Sequence, residues 1–332
     1  MNNMSLLLSS GHCMPVVGLG TWQASAEVIE TIVLEALQAG YRHIDTAFNY
    51  GNEAAIGAAV RRWISAGGRR EDLFITTKLP HLANRCSDVA RYLGISLQRL
   101  QLDYVDLYLV HMPFGFMPDP CGEEPLARPD GSYVLDLDTD IIAVWKAMEQ
   151  QVDTGKARSI GVSNYNVCQL TRILDAARIP PATNQVELHA YLQQPELRQF
   201  CSQHGVVVTA FCPLGSPGTR DHFRRKYNYR HEAFPDILGR QEVSCIADKL
   251  GKTPAQVLLR HLIQLGVAII PKSTNPERLR ANLQVFDFEL SDNEMSVLNA
   301  LDHGEAGRII HFRFWKGVEQ HPEYPFPRPE CP

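Results

Sequence analysis

No stretch of this chain approaches the ~18 consecutive apolar residues that a membrane-spanning helix needs. Basic residues are in deficit: 32 Lys and Arg stand against 37 Asp and Glu, a net charge of -5. Neither a membrane span nor a broad electrostatic face for nucleic acid is therefore expected. The short apolar run Leu6-Leu7-Leu8 has no basic segment before it and no small-residue cleavage site after it, so no secretory leader is expected. The eight cysteines form no Cys-x-x-Cys pair and no metal-ligand spacing. Free thiols in a reducing compartment follow, with no metal site. No repeat supports a solenoid. The expectation left standing is a cytoplasmic monomer whose partner is a small molecule.

What is present is alternation. With 332 residues, 45% of them hydrophobic, the chain can bury a large core. Two short segments flank Gly11-His12 and read as an N-terminal β-hairpin. Strand patterns then recur at residues 16–19, 42–45, 73–78, 105–110, 158–162, 183–187, 206–211 and 267–270. Helical patterns separate them. Val28, Ile29, Ile32, Val33, Ala36 and Leu37 repeat at helical spacing until Gly40 stops them. Thr253-Pro254-Ala255-Gln256 is a capping box with proline at the first helical position. Eight alternating units favour an α/β fold, a (β/α)8 TIM barrel formed by residues 1–332 as a single domain.

Three segments break the rhythm: residues 112–137, 212–239 and 303–332. Each exceeds the ~15 residues of an ordinary connector, and the first two follow strands four and seven, which puts them on the C-terminal face of the barrel. The first carries Phe114, Phe116 and Met117, the second is basic from Arg220 to Arg230, and the third is rich in proline and aromatics.

The chemistry is concentrated at strand ends. Asp45 closes the second strand, Tyr50 follows in the loop after it, Lys78 closes the third, and His111 closes the fourth. A tyrosine has a pKa of ~10, so as a proton donor to a carbonyl it needs that pKa drawn toward the working pH. A buried lysine ammonium beside it is expected to do so, with a carboxylate fixing the lysine. A histidine then orients the carbonyl oxygen. Such a set suits aldehyde or ketone reduction, with hydride from a cofactor.

Several motifs resemble those of the aldo-keto reductase family over essentially the whole length. They are Gly18-Leu19-Gly20-Thr21-Trp22, Gly40 to Ala47, Leu102 to His111, Gly161-Val162-Ser163-Asn164-Tyr165 and Ile270-Pro271-Lys272-Ser273. The resemblance implies Tyr50 as general acid-base, Lys78 and Asp45 as its tuning pair, and His111 as the orienter of the carbonyl. It implies NADPH as cofactor, with Thr21, Trp22 and Asp45 among the residues that bind it. Ser163, Asn164 and Gln185 would hold the carboxamide, and Phe211 would stack on the ring. Leu214 and Ser216 would cover the pyrophosphate, while Lys272, Ser273, Arg278 and Asn282 would hold the adenosine end. Gly18 and Gly20 are not a dinucleotide fingerprint, because no third glycine follows at the required spacing.

Departures from the family bear on substrate. Ala281 stands where a carboxylate often reaches the adenine. Met112 and Pro80 replace common tryptophans, so a less aromatic pocket wall is expected. Trp22, Tyr50, His111, Met112 and Phe114 are the expected substrate contacts, and a hydrophobic carbonyl the expected substrate. The tail resembles the family's, which often closes over the pocket. Two other readings stay open: a lyase or aldolase barrel using Lys78 as a Schiff base, and a barrel with a structural or regulatory role.

Overall fold

In the computed structural model, which describes residues 4–121, 124–228, 234 and 236–328, the chain opens with β1 (Ser5–Leu7) and β2 (Cys13–Pro15). They pair antiparallel, Ser5 opposite Pro15, as the expected hairpin. Eight parallel strands follow: β3 (Leu19–Gly20), β4 (His43–Asp45), β5 (Phe74–Leu79), β6 (Val105–Val110), β7 (Ala157–Ser163), β8 (Thr183–Glu187), β9 (Val207–Phe211) and β10 (Ala268–Ile269). Each pairs with its sequence neighbour. A bridge between Val17 and Ile269 joins the two ends. Gly18 N–H donates to Ile269 O at 2.8 Å, and Ile269 N–H to Val16 O at 2.8 Å. The fold is a (β/α)8 barrel.

Close packing accounts for the two early glycines. A Cβ on Gly18 would lie 2.6 Å from His43 Nδ1, and one on Gly20 would lie 2.6 Å from Ile270 O. Every residue of β5 and β6 is buried, as strands covered on both faces require.

Helices α1 (Ala26–Ala39), α2 (Glu53–Ser65), α3 (Val89–Leu100), α4 (Ile141–Asp153), α5 (Val167–Ala176) and α6 (Pro195–Gln203) lie between successive strands. Ile29, Ile32, Val33, Ala36 and Leu37 of the α1 stripe are buried as the spacing predicts, whereas Val28 is exposed, and Gly40 ends that helix at φ 110. Next come α7 (Thr219–Tyr227), α8 (Gln241–Leu250) and α9 (Pro254–Gln264), and after the last strand α10 (Pro276–Leu283) and α11 (Asp292–Asn299). Thr253 and Gln256 form the expected capping box on α9.

The three long segments meet on the C-terminal face of the barrel. They build a second apolar cluster from Met112, Phe114 and Phe116, from Phe223 of α7, and from Ile309, Ile310, Phe312, Trp315 and Tyr324. The segment after β9 is thus not all loop: α7 forms there and buries Phe223. Arg230, the end of the expected basic stretch, and Cys331 lie outside the described residues. The described cysteines are free thiols. Among the described residues no helix is long and apolar enough to cross a membrane.

Candidate active site

Strand ends carry the polar groups because each apolar strand buries its length and releases its last residues at the rim. Asp45 ends β4, Lys78 is the penultimate residue of β5, and His111 follows β6. Tyr50 closes a 3-10 turn over Phe48–Tyr50. Lys78 Nζ donates to Asp45 Oδ1 at 2.6 Å and to Thr46 O at 2.8 Å. It lies 3.4 Å from Tyr50 Oη. Gln185 Nε2 donates to the other Asp45 oxygen at 2.6 Å. The rings of Tyr50 and His111 meet edge to face, with centroids 5.7 Å apart. All four expected residues therefore converge.

Their electrostatics differ in one respect from the sequence argument. Lys78 was expected to draw the phenol's pKa down. In the structure burial, reinforced by the charge of Asp45, pushes Tyr50 well above the ordinary tyrosine value. The main reason is burial of the phenol, and the Asp45 carboxylate, paired with Lys78 at 2.6 Å, adds to it. Tyr50 is thus held protonated, as a donor must be. Burial pulls Lys78 below the usual lysine value, and Asp45 opposes that shift. Burial, with the charge of Lys78, drives His111 well below the usual imidazole value, so its ring is neutral at pH 7.

These groups sit at the floor of a cavity of about 1170 Å³. That exceeds the roughly 300–1,000 Å³ of a typical single-ligand pocket. Thr21, Trp22, Asp45, Tyr50, His111 and Met112 line it, as do Ser163, Asn164, Gln185, Phe211, Leu214, Ser216, Lys272, Ser273, Arg278 and Asn282. Lys78 does not; it is fully buried behind Asp45 and Tyr50.

Polar atoms along one arm of the cavity are arranged for a ligand. Ser163 Oγ donates to Gln185 O at 2.7 Å, and Asn164 Nδ2 to His111 O at 2.9 Å. Asn164 Oδ1 and Gln185 Oε1 then remain as acceptors toward an amide. At the far end Asn275 caps α10, accepting from Arg278 N–H at 3.0 Å. Burial and the charge of Arg278 lower the pKa of Lys272. An anion between two such neighbouring cations would relieve their repulsion. These residues fit a nicotinamide dinucleotide.

One expectation about the wall does not hold. Phe114 is fully buried and absent from the cavity lining; it packs behind Phe312 and Trp315 at ring distances of 5.8 and 6.3 Å. Aromatic residues do line the wall: Tyr227 comes from α7, and Phe312, Phe314 and Trp315 come from the tail. His81 also lines the cavity and was not expected there. Its ring lies 4.7 Å from that of Trp315, and burial, aided by Lys226, pulls its pKa down to about 3. The only sequence signal for it was its place just beyond a strand end.

The family model described as "Aldo/keto reductase family" matches residues 16–303. Over 333 residues the chain is 41% identical to aldo-keto reductase family 1 member A1-A of Danio rerio, covering 98% of this chain and 99% of that protein. It is 40% identical over 326 residues to aldo-keto reductase family 1 member C4 of Macaca fascicularis, covering 96% of each. Among solved structures, the aldose reductase from Schistosoma japonicum matches with a TM-score of 0.87 at 37% identity, covering 97% of this chain and 98% of that one.

Proposed function

The chain belongs to the aldo/keto reductase family, whose members are oxidoreductases on carbonyls that generally use a nicotinamide cofactor, and we propose that it reduces a hydrophobic aldehyde or ketone with NADPH, Tyr50 giving the proton. The observation that carries this reading is the contact chain Asp45, Lys78, Tyr50 beside a neutral His111 at the cavity floor.

When bound, the nicotinamide supplies the hydride, a step no side chain can perform. The protein's own groups do the rest. His111 offers a ring N–H to the carbonyl oxygen and orients it. Tyr50, held protonated by burial, gives its proton as that oxygen becomes an alkoxide. The phenolate left behind faces the Lys78 ammonium, and Asp45 and Thr46 O keep that ammonium in place. Asn164, Gln185 and Ser163 would hold the carboxamide, Phe211 the ring face, and Leu214 and Ser216 the pyrophosphate. Lys272, Ser273, Arg278 and Asn282 would hold the adenosine end. The aromatic wall of Trp22, Phe312, Phe314 and Trp315 favours an apolar substrate.

A Schiff base on Lys78 fits less well, because its Nζ is buried and engaged by Asp45 and Thr46. A cofactor titration tests the central reading. NADPH and NADH differ by one phosphate, and a charge-assisted hydrogen bond contributes ~1.5–3 kcal/mol, less what solvent screens. Lys272 and Arg278 should therefore favour NADPH by about 10- to 100-fold in affinity. Arg278→Met should remove most of that preference. Equal affinities in the unmodified protein at low salt would remove the argument for NADPH.

A further inference from the structure

Glu187 ends β8, fully buried, yet it does not line the cavity. Its Oε1 accepts from Ile309 N–H at 2.6 Å and from His189 Nε2 at 2.9 Å. Its Oε2 accepts from Ile310 N–H at 2.6 Å. One carboxylate thus clasps two consecutive backbone amides of the tail. Burial pushes this carboxyl up, but His189, Arg308 and the Ile309 amide together hold it below the usual value. The clasp keeps its charge at neutral pH.

Beyond the clasp the tail enters a conformation it would not hold unaided. Phe312 has φ 59, in the left-handed region that a phenylalanine rarely adopts. Its ring then stacks on Trp315, with centroids 5.5 Å apart and planes at 14°. Ile310, Phe312 and Trp315 all face the cavity. Just before the clasp, Gly307 lies so close to the β8 exit that a Cβ there would meet Tyr191 O at 1.9 Å. The other end of the tail is fixed at the surface, where Arg172 pairs with Glu323 at 2.8 Å and Asn166 Nδ2 donates to Pro325 O at 3.0 Å. The tail is also held by buried His321, whose Nε2 lies 2.9 Å from Asp136 O, and the clasp is the attachment made at Ile309 and Ile310 themselves.

We propose that Glu187 is a positioning residue for substrate choice: its carboxylate fixes the tail at Ile309 and Ile310 and so sets where Ile310, Phe312 and Trp315 stand over the cavity. The proposal rests on the carbonyl-reductase reading of the cavity. Substrates large enough to touch the tail depend on the clasp, and small ones do not.

The test uses the full chain and Glu187→Gln, which keeps the shape but turns one amide-facing oxygen into a donor. Hydrogen exchange of the tail amides at 308–315 should quicken by about 100-fold while those of β5 and β6 stay protected. With NADPH, KM for a bulky ring ketone should rise about 10-fold, whereas kcat and KM for a three-carbon aldehyde should change less than about 3-fold. If Glu187→Gln fails to fold, His189→Asn removes one donor from the clasp, and the same two shifts should appear at about one third of the size. Unchanged tail exchange, or equal KM shifts for large and small carbonyls, overturns the proposal. Loosened exchange in a protein whose unmodified form reduces no carbonyl supports the clasp and contradicts the reading of the site.

Discussion

Asp45 and Glu187 are both carboxylates buried at the ends of barrel strands, and they are satisfied in opposite ways. Asp45 meets a cation, Lys78 at 2.6 Å, and one side-chain amide, that of Gln185. Glu187 meets two backbone N–H groups and an imidazole and, among the described residues, no lysine or arginine in hydrogen-bond contact. A buried charge needs full compensation in either case. Compensation by a cation leaves that cation next to the phenol, where chemistry can use it. Compensation by backbone dipoles leaves a fixed chain, and the geometry of the pocket wall follows from it.

Removing the cation should have the largest effect. Lys78→Met strands Asp45 in the interior, and breaking a buried pair in this way costs about 3–5 kcal/mol. Its reduction rate should also fall by at least ~100-fold. Adding Asp45→Asn to Lys78→Met should restore more than half of the lost stability in urea denaturation, and none of the rate. A Lys78→Met protein as stable as the unmodified one would show that the pair carries no such penalty. Glu187→Gln should cost less, about 1–3 kcal/mol for one badly faced buried amide. Comparing the urea midpoints of the two variants checks the order.

The smallest effect is a pH response. His81 and His111 are kept neutral by burial in the folded protein, with folded pKa values below that of a free imidazole. Unfolded, each protonates near pH 6.5, so the unfolded state binds more protons and stability falls as pH drops below that value. Between pH 7 and pH 6 the two together should cost about 1.4 kcal/mol. The Glu187 carboxyl itself stays charged across that window. The Glu187 carboxyl, held low, contributes stability that is lost only as pH falls below the usual carboxylate range. Denaturation curves at the two pH values, with tail exchange measured alongside, separate the two regions.

The floor of the site was far more legible in the sequence than its wall. Asp45, Lys78 and His111 each end an apolar strand, a local signal, and the barrel's regular register then brings them together. The wall depends on contacts between distant segments. Glu187 reads only as the end of a strand, because its partners in the tail lie 122 and 123 residues away. Phe114 looked like a pocket residue for its aromaticity alone, yet the tail supplies rings that cover it and its neighbour Phe116. Helix α7 was hidden by its polarity: no side chain caps it, and it buries little beyond Phe223. The phenol's pKa went astray for a related reason. Sequence position does not show how deeply the phenol is buried, the main cause of its raised pKa, nor that Asp45 lies nearer to Lys78 than Tyr50 does.

The most direct measurement of the central claim is NADPH oxidation by Tyr50→Phe with a hydrophobic aldehyde, paired with fluorescence titration of NADPH. Removing a positioned acid should lower kcat by ~100-fold or more. The hydroxyl is not needed to hold the cofactor, so NADPH affinity should stay within about 3-fold. A variant that keeps most of the unmodified kcat would contradict the account, because the proton would then have come from a group other than Tyr50.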